Sequence, residues 1–310
     1  MSGSDNYPLV SVIINCYNGE KYLREAIESV YAQSYQNWEI IFWDNCSNDN
    51  SAEIAKSYKD RFFYYKSNVN TPLGHARNLA LEKSKGEFIS FLDSDDIWEV
   101  EKLSKQVNKI LENEKYCLCY CGVEEIFENG NHFRYYLPNY ESGLLVNKLL
   151  EKFNIHIVAA LIRKEALLES NLNFDTNLTA SEEYCLFINL SLIFPISVIN
   201  EPLVKYRVSP NSLSVLMSNK LGYERRYALD KLKQHILFNK IVDSKKYKKA
   251  YLHSYYYDAK YYASINEKYN AIKKMFKTKF VNISYIPLLI LLVTSIKLWE
   301  KIHLKYRNRY

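Results

Sequence analysis

Residues 88–98 read FISFLDSDDIW, a stretch in which a buried strand runs directly into a cluster of negative charge. Four of its first five residues are large and apolar, which is typical of a strand buried on both faces of a sheet. Three carboxylates follow within four positions, at Asp93, Asp95 and Asp96. Like charges so close together repel each other and contribute nothing to an apolar core. The cluster therefore predicts a ligand at the end of this strand.

Strand and helix patterns alternate in the residues before this stretch. Apolar runs rich in β-branched and aromatic residues are separated by segments with helical spacing of apolar residues. Such alternation with short links predicts an α/β fold, a mostly parallel sheet flanked by helices. Ligands of such sheets bind beyond the carboxyl ends of the strands, where Tyr17, Asp44, Asn45 and the aspartate cluster would lie. The strand-like runs are residues 9–18, 38–43, 62–67 and 88–92.

Charge is distributed unevenly along the chain, whose 310 residues carry a net charge of +6. Residues 1–219 hold 20 Lys and Arg against 29 Asp and Glu, whereas residues 220–310 hold 21 against 6. The sequence therefore predicts an acidic α/β domain over 1–219 and a basic, Tyr-rich helical extension over 220–310. The extension favours an anionic partner, which could be a membrane surface, a nucleic acid or a phosphorylated acceptor.

An apolar run, YIPLLILLVTSIKLW at residues 285–299, lies between basic segments. A helix needs about 20 apolar residues to cross a bilayer, so this run is too short to span one comfortably. A short apolar helix with basic and aromatic flanks is typical of an anchor in the surface of an anionic membrane. The alternative is a helix packed against the rest of the protein. The charge asymmetry favours the membrane surface.

The cysteines and the first residues of the sequence indicate a reducing compartment. Cys117, Cys119 and Cys121 alternate in CLCYC, which is not the C-x₂-C spacing of most zinc sites. Reduced thiols packed as small apolar residues are expected instead. The segment MSGSDNYPLV lacks the apolar region of a signal peptide. We therefore expect a cytoplasmic protein, peripheral at the inner face of the cytoplasmic membrane.

Asp93-Ser94-Asp95 forms a D-x-D motif. Two carboxylates one residue apart can share Mg²⁺ or Mn²⁺, because both ions bind oxygen ligands. Magnesium commonly takes one or two protein carboxylates and completes its shell with substrate phosphates. The motif at a strand end thus predicts a substrate with a metal-bound diphosphate. The alternative is a solvated acidic turn, and in either case Asp96 is expected to cap a helix that begins near Trp98.

Five spaced blocks resemble a known family when they are taken in order. They are VSVIINCYNGEKYLREAIESV, WEIIFWDNCSNDNS, PLGHARNLALEKSKGEFISFLDSDDIW, SEEYCLF and YRVSPNSLS. Over roughly residues 8–215 the chain resembles glycosyltransferase family 2, whose members have the GT-A fold. The resemblance implies an inverting, non-processive enzyme of the bacterial type. It also implies a nucleotide-sugar donor and a divalent cation, Mn²⁺ or Mg²⁺.

The resemblance further implies a donor site at the ends of the first strands. Asn15 and Tyr17 would line the nucleotide base, with the Tyr17 ring stacked on it. Asp44 and Asn45 would hold the edge of the base. Many members have a second aspartate where this chain has Asn45, so the identity of the base stays open. Arg77 would neutralise the diphosphate or contact the base, and a salt bridge is its alternative role.

The same resemblance implies the metal ligands and the general base. Asp93 and Asp95 match the metal-binding D-x-D of the family, with Asp95 the stronger candidate. Glu182-Glu183 match its acidic pair at the start of a helix, whose second member, here Glu183, would be the base. A favourable interaction with the helix dipole is the alternative for this pair. Where members commonly have a histidine after Y-R-x, this chain has Ser209.

Together these roles predict the transfer of one sugar, with inversion, to a glycan or lipid-linked acceptor in bacterial surface polysaccharide or lipopolysaccharide synthesis. A nucleotidyltransferase is an alternative, although NCYNGEKYLRE lacks the glycine-rich basic loop expected of one. A dinucleotide-dependent dehydrogenase is a weaker alternative, because it would need G-x-G-x-x-G after the first strand and this segment has a single glycine. A membrane-docked binding module without turnover is a further alternative. No nucleic acid is expected, because the apolar run beside the basic residues indicates lipid.

Overall fold

The structure is a computed structural model that describes residues 7–209, 212–278, 285–295, 298 and 299. Strands and helices alternate through the first part of this range, and helices fill the last part. The strands are β1 Val10–Cys16, β2 Trp38–Asp44, β3 Phe62–Lys66, β4 Phe88–Phe91, β5 Ile97–Trp98, β6 Leu118–Ile126, β7 His132–Tyr136, β8 Ala160–Arg163 and β9 Ile196–Arg207. The helices are α1 Leu23–Tyr31, α2 Ser51–Lys56, α3 Leu73–Leu81, α4 Lys102–Leu111, α5 Val146–Glu151, α6 Lys164–Ser170, α7 Glu182–Ile193, α8 Leu213–Leu216, α9 Ser218–Gln234, α10 Phe238–Ile241, α11 Ser244–Ser264, α12 Lys268–Thr278 and α13 Tyr285–Thr294.

All of these strands join one mixed sheet in the order β3-β2-β1-β4-β8-β6-β9-β5, with β7 paired to β6. The four strands β1 to β4 are parallel to one another, as the alternating pattern predicts. The rest of the sheet is mixed, because β6 and β7 form a hairpin and β8 runs antiparallel to both β4 and β6. The predicted α/β fold, with helices packed against the sheet, is confirmed.

The register of the parallel strands brings their carboxyl ends to one edge. Almost every residue of β1 and β2 is buried, which suits strands covered on both faces. Cys16 of β1 lies opposite Asp44 of β2, and Ile13 of β1 lies opposite Phe91 of β4. The residues that follow these strands therefore emerge side by side. The aspartate cluster is one of the segments at this edge.

The prediction that Asp96 caps a helix near Trp98 is wrong. Ile97 and Trp98 form the short strand β5, which pairs with β9, and α4 begins only at Lys102. Asp96 Oδ1 instead accepts a hydrogen bond of 2.7 Å from the backbone N–H of Arg207. The pairing with β9 decides this conformation, and a partner so distant in sequence leaves no local signal.

Contacts between residues divide the chain into two compact units. The first comprises Met1–Leu145, Asn154–Asn177 and Asn189–Ser209 and contains the whole described sheet. The second comprises Val146–Phe153, Leu178–Ile188 and Pro210–Tyr310. The predicted boundary at residue 219 follows the change of charge in the sequence. The two units are defined by contacts in the folded chain. Two short earlier segments, Val146–Phe153 and Leu178–Ile188, therefore belong with the C-terminal helices.

The second unit has a small apolar core of its own. Helices α11, α12 and α13 meet around Ala259, Ala263, Ala271, Met275 and Leu292. Helix α13 thus has a packed face, as the alternative interpretation of the apolar run expects. In the part of the chain that the structure describes, no helix combines the length and apolarity needed to cross a membrane. Two residues of the predicted run, at positions 296 and 297, lie outside the described residues.

Candidate active site

The turn between β4 and β5 gathers three carboxylates at the edge of the sheet. Asp96 is almost fully buried, and burial raises its pKa well above the usual range, with a further rise from Asp95 and Asp93. Burial raises the pKa of Asp95 to about 6, and the charge of Asp93 adds to this effect. Asp96 Oδ2 is buried and has no hydrogen-bond partner among the described residues. Burial and mutual repulsion therefore favour the protonated forms of Asp95 and Asp96, and a bound cation would reverse this preference.

Arg77 is the nearest cation on the α3 side of this turn. Its guanidinium is buried, and Nη2 lies 3.3 Å from Asp93 Oδ1. The ring of Phe174 lies 5.5 Å from the guanidinium carbon and covers it on another side. The salt bridge expected as the alternative role of Arg77 is thus present. A role in diphosphate binding remains a prediction, supported by the position of Arg77 beside the aspartate cluster.

A second buried arginine, Arg207 at the end of β9, holds the other side of the turn. Its Nε donates to the Asp95 carbonyl at 2.9 Å, and Nη1 donates to the Glu128 carbonyl at 3.1 Å. Its Nη2 lies 2.6 Å from Glu25 Oε2. The guanidinium carbon also lies 4.1 Å from the ring centroid of Tyr22. Arg207 therefore fastens the metal-binding motif predicted from the sequence to α1 and to the β6–β7 hairpin.

Ser209, which stands where family members commonly have histidine, joins an exposed cluster. Its Oγ donates to Glu128 Oε1 at 2.8 Å. The other oxygen of this carboxylate, Oε2, lies 3.1 Å from Lys21 Nζ. Neither Glu128 nor the Glu25 partner of Arg207 was predicted from the sequence. Both contact residues that are far away in the chain; Glu25 lies within the first of the five blocks but was given no role there, and Glu128 lies outside the blocks.

Asp44 and Asn45, at the end of β2, are engaged within the protein. Asp44 accepts hydrogen bonds from the Ser47 N–H at 2.7 Å and the Tyr64 hydroxyl at 2.6 Å. The Asn45 amide donates to the Asn70 side chain and the Thr71 carbonyl, and its oxygen accepts from the N–H and hydroxyl of Thr71. Since an amide has two donors and two acceptor positions, Asn45 is fully satisfied. The predicted roles of Asp44 and Asn45 at the nucleotide base remain predictions. To bind the base, the Asn45 amide would have to give up one of its present hydrogen bonds to Asn70 or Thr71.

Asn15 and Tyr17, at the end of β1, have groups that are available to a ligand. Both polar atoms of the Asn15 amide are buried and have no hydrogen-bond partner among the described residues. An unsatisfied buried polar group costs about 1–3 kcal/mol, so such groups are rare without a functional reason. The Tyr17 side chain is 52% exposed, which leaves its ring free for stacking. These observations support the predicted donor site.

The side chains at this edge fit a divalent cation that is shared with phosphate oxygens. Asp93 and Asp95 supply two hard oxygen donors, a number that Mg²⁺ commonly takes from protein in phosphate complexes. Beside them, the buried Asp96 Oδ2 accepts no hydrogen bond from the described residues. The described residues contain no group of three or more His, Cys, Asp or Glu side chains that could hold a metal ion by themselves.

Glu182 and Glu183 form the first turn of α7 and belong to the second unit. Glu182 is buried, whereas Glu183 is half-buried. Both lie at the positive end of the helix dipole, as the alternative interpretation expects. The role of Glu183 as a base remains a prediction. In its own unit the turn before this helix is held by Glu224, a residue that no sequence motif indicated.

Comparison with known proteins decides the family. The model of Glycosyl transferase family 2 matches residues 11–169, about half of the chain. The chain belongs to glycosyltransferase family 2. The matched segment includes the β1, β2 and β4 ends with Asn15, Asp44 and the aspartate cluster. The prediction of a glycosyltransferase is therefore confirmed at the level of the family.

Related family 2 proteins include enzymes named for cell-surface polysaccharide synthesis. The UDP-Glc:alpha-D-GlcNAc-diphosphoundecaprenol beta-1,3-glucosyltransferase WfgD of Escherichia coli is 33% identical over 225 residues, covering 72% of this chain and 84% of that protein. The putative teichuronic acid biosynthesis glycosyltransferase TuaG of Bacillus subtilis is 30% identical, covering 67% and 82%. An uncharacterized glycosyltransferase of Rickettsia felis is 36% identical, and the match covers 68% of this chain but only 36% of that protein.

Solved structures support the fold over almost the whole chain. Staphylococcus aureus TarS in complex with UDP-GlcNAc matches with a TM-score of 0.68 at 18% identity, covering 96% of this chain and 91% of that one. The mannosyltransferase PcManGT from Pyrobaculum calidifontis, in complex with GDP-Man and Mn²⁺, matches with a TM-score of 0.62 at 15% identity, covering 98% and 86%. The predicted GT-A fold is confirmed.

Proposed function

We propose that this family 2 glycosyltransferase moves one sugar at a time from a nucleoside diphosphate donor, with inversion, to a glycan or lipid-linked acceptor. The observation that carries the proposal is the group of three carboxyls at the carboxyl end of β4, beside the buried guanidinium of Arg77. A family 2 fold presents its donor at this edge. The named ligands of similar structures, UDP-GlcNAc and GDP-Man, are of the proposed donor class.

Asp93 and Asp95 would hold a divalent cation, Mn²⁺ or Mg²⁺, and Arg77 would contribute positive charge to the same diphosphate. When bound, such a cation neutralises the diphosphate and stabilises the leaving nucleoside diphosphate. Two further residues of the chain would orient the bound nucleoside diphosphate. Arg207 Nε donates a hydrogen bond to the Asp95 carbonyl and so holds the backbone of this metal ligand in place. The Asn15 amide, which has no hydrogen-bond partner among the described residues, offers a donor and an acceptor to the nucleoside.

Glu183 is the proposed general base. An acceptor hydroxyl oxygen attacks the anomeric carbon of the donor, and the bond from that carbon to the diphosphate oxygen breaks with its electron pair. The hydroxyl proton passes to the Glu183 carboxylate. A glycosidic bond forms with inverted configuration, and the nucleoside diphosphate leaves. One attack from the opposite face of the sugar requires no covalent intermediate on the enzyme.

We further propose that the enzyme works at an anionic membrane surface on a lipid-linked acceptor. The E. coli relative is named for a lipid-diphosphate acceptor. Helix α13 leaves Ile286, Ile290 and Val293 exposed on the face opposite its packed residue Leu292. Residues 220–310 carry a large excess of Lys and Arg, which favours anionic headgroups around such an apolar face. This supports peripheral attachment through the second unit.

The transfer reaction can be tested with defined compounds. We would incubate the protein with Mn²⁺, a synthetic GlcNAc-diphosphate lipid and one of UDP-Glc, UDP-GlcNAc or GDP-Man. The proposal expects release of the nucleoside diphosphate with one donor and addition of a single sugar. Because these donors are α-linked, nuclear magnetic resonance should show a β-linked product. An α-linked product, or a polymer from a single acceptor, would contradict the proposed reaction.

A further inference from the structure

Glu224 of helix α9 binds the chain segment that leads into α7. Its carboxylate is buried, with the residue only 3% exposed. Oε1 accepts hydrogen bonds from the N–H and the hydroxyl of Thr179, each at 3.0 Å. Oε2 accepts from the Thr179 N–H at 3.1 Å and from the Ala180 N–H at 2.7 Å. One charged group thus holds two consecutive backbone amides, directly before the turn that carries the acidic pair.

Two neighbours of Glu224 on α9 support the same segment. Lys220, one helical turn earlier, donates from Nζ to the Thr179 hydroxyl at 3.1 Å. The guanidinium carbon of Arg225 lies 3.7 Å from the ring centroid of Tyr184, which belongs to the first turn of α7. Helix α9 therefore contacts this segment on both sides of the acidic pair. These residues all belong to the second unit.

Helix α7 follows directly after the segment that Glu224 holds. The Ser181 carbonyl accepts the first helical hydrogen bond, from Cys185 N–H at 2.9 Å. The Ser181 hydroxyl is buried and makes no hydrogen bond within the described part of the chain. A serine in this position usually caps the helix. Among the described residues the Ser181 hydroxyl makes no such bond, and Glu224 holds the two residues that precede it.

We propose that Glu224 is a positioning residue for the transfer reaction. It fixes the backbone at Thr179 and Ala180, and thereby the direction in which the first turn of α7 presents Glu183. This inference rests on the proposed role of Glu183 as the base. It gives the first helix of the C-terminal region a function in turnover. Both carboxylate oxygens accept from N–H groups, so a glutamine would place its NH₂ against one of these donors.

The experiment compares three variants with the wild-type protein in the transfer assay described above, with Mn²⁺, the GlcNAc-diphosphate lipid and whichever of the three donors the wild-type protein uses. Glu224→Gln disrupts the hydrogen bonds to the Thr179 and Ala180 amides, and Glu183→Gln removes the proposed base. Asp258→Asn is the matched control, because Asp258 is also a buried acid of the second unit but pairs with Arg226 of α9 and Lys274 of α12 and not with the segment before α7. Hydrogen exchange of the peptide that contains Thr179 and Ala180 is measured in parallel.

We expect Glu224→Gln to lower kcat by about tenfold to a hundredfold, as for a displaced catalytic group, with the KM for the sugar donor unchanged. The peptide over residues 179–180 should exchange at least about tenfold faster in this variant, because its amides lose their partner. Asp258→Asn should lose thermal stability to a similar degree, yet keep the wild-type kcat per folded molecule and the wild-type exchange of this peptide.

Two results would overturn the positioning role. One is a wild-type kcat in Glu224→Gln while Glu183→Gln is inactive; the other is unchanged exchange at residues 179–180. Wild-type kcat in Glu183→Gln would instead refute the proposed base. If Glu224→Gln does not fold, Thr179→Val takes its place, since it removes only the hydroxyl bonds. A loss of about twofold to tenfold in kcat is then expected, and no loss would contradict the proposal.

Discussion

Lys102 is a buried base in the core of the first unit, separate from the proposed chemistry. Its side chain is fully buried, and Nζ donates to Ser90 Oγ at 2.8 Å. The ammonium nitrogen lies 3.6 Å from the ring centroid of Trp98. Burial lowers the pKa of Lys102 to about 7, against opposing effects of the Cys121 and Cys119 thiols. A charged lysine here destabilises the folded state, because its hydration is lost.

The low pKa of Lys102 predicts how stability depends on pH. Between about pH 7 and 10 the unfolded chain binds a proton at this lysine that the folded protein does not bind. The free energy of unfolding should therefore rise with pH in this window, by at most about 1.4 kcal/mol per pH unit from this residue. Urea unfolding at several pH values should give a slope of this free energy against pH that is more positive in the wild type than in Lys102→Met, by about this amount.

The control for this prediction is Lys59→Met, which changes an exposed lysine and should keep the wild-type slope. The neighbouring thiols oppose this slope above about pH 8.5, because burial raises the pKa of Cys119 to about 12 and that of Cys121 to about 11 in the folded protein, whereas the unfolded thiols lose their protons. Both thiols are retained in Lys102→Met, so the difference in slope between the two proteins reports Lys102. Equal slopes in wild type and Lys102→Met would show that this amine is not neutral in the folded protein.

At the level of elements, the end of β9 is joined to three other segments by Arg207. The guanidinium uses three nitrogens on Asp95, Glu128 and Glu25. A lysine has one nitrogen and cannot reach these acceptors in the same plane. We predict that Arg207→Lys lowers the free energy of unfolding by about 1–3 kcal/mol, because carbonyl groups lose their donors.

Glu25→Gln is the matched control for this prediction. It removes the charge of the exposed partner only, so it should cost less than about 1 kcal/mol. Urea unfolding of both variants at one salt concentration makes the comparison. Equal losses would mean that the surface ion pair, and not the two carbonyl bonds, accounts for the effect of Arg207.

The elements differ in how much of them the sequence reveals. The strands β1 to β4 follow from continuous apolar runs between turn formers, since a strand buried on both faces needs little else. Strand β5 has only two residues, Ile97 and Trp98, and exists through its pairing with Lys205 and Val204 of β9. No local pattern can encode such a partner.

The same distinction applies to the site. Asp93 and Asp95 are recognisable because their charge follows a buried strand at once. The hydrogen bond between Glu224 and Thr179 joins residues 45 positions apart. Glu224 itself belongs to an ordinary amphipathic helix. The four hydrogen bonds that engage Asn45 come from a loop 25 and 26 positions away. Contacts of this kind follow from tertiary packing alone.

At the level of the whole molecule, membrane attachment predicts a measurable difference between two exposed apolar surfaces. Ile286→Ser combined with Ile290→Ser should weaken binding to vesicles that contain phosphatidylglycerol by about tenfold or more, because each buried apolar side chain contributes more than about 1 kcal/mol. Co-sedimentation at low salt measures this, and added salt should weaken binding of the wild type.

Ile236→Ser is the control for the vesicle experiment. Ile236 is 86% exposed and belongs to the same unit, but it lies outside α13. This variant should bind vesicles as the wild type does. Equal binding by the α13 double variant would contradict attachment through this helix.

The most direct test of the account is whether the carboxylate turn binds a nucleoside diphosphate together with a divalent cation. We would measure the melting temperature with UDP, GDP, dTDP and CDP, each with and without Mn²⁺, for the wild type and Asp95→Asn. The variant should fold, because the substitution relieves repulsion from Asp93. We predict that one nucleotide stabilises the wild type only with Mn²⁺ and that Asp95→Asn loses this effect. No stabilisation by any nucleotide, or equal Mn²⁺-dependent stabilisation of the variant, would contradict it.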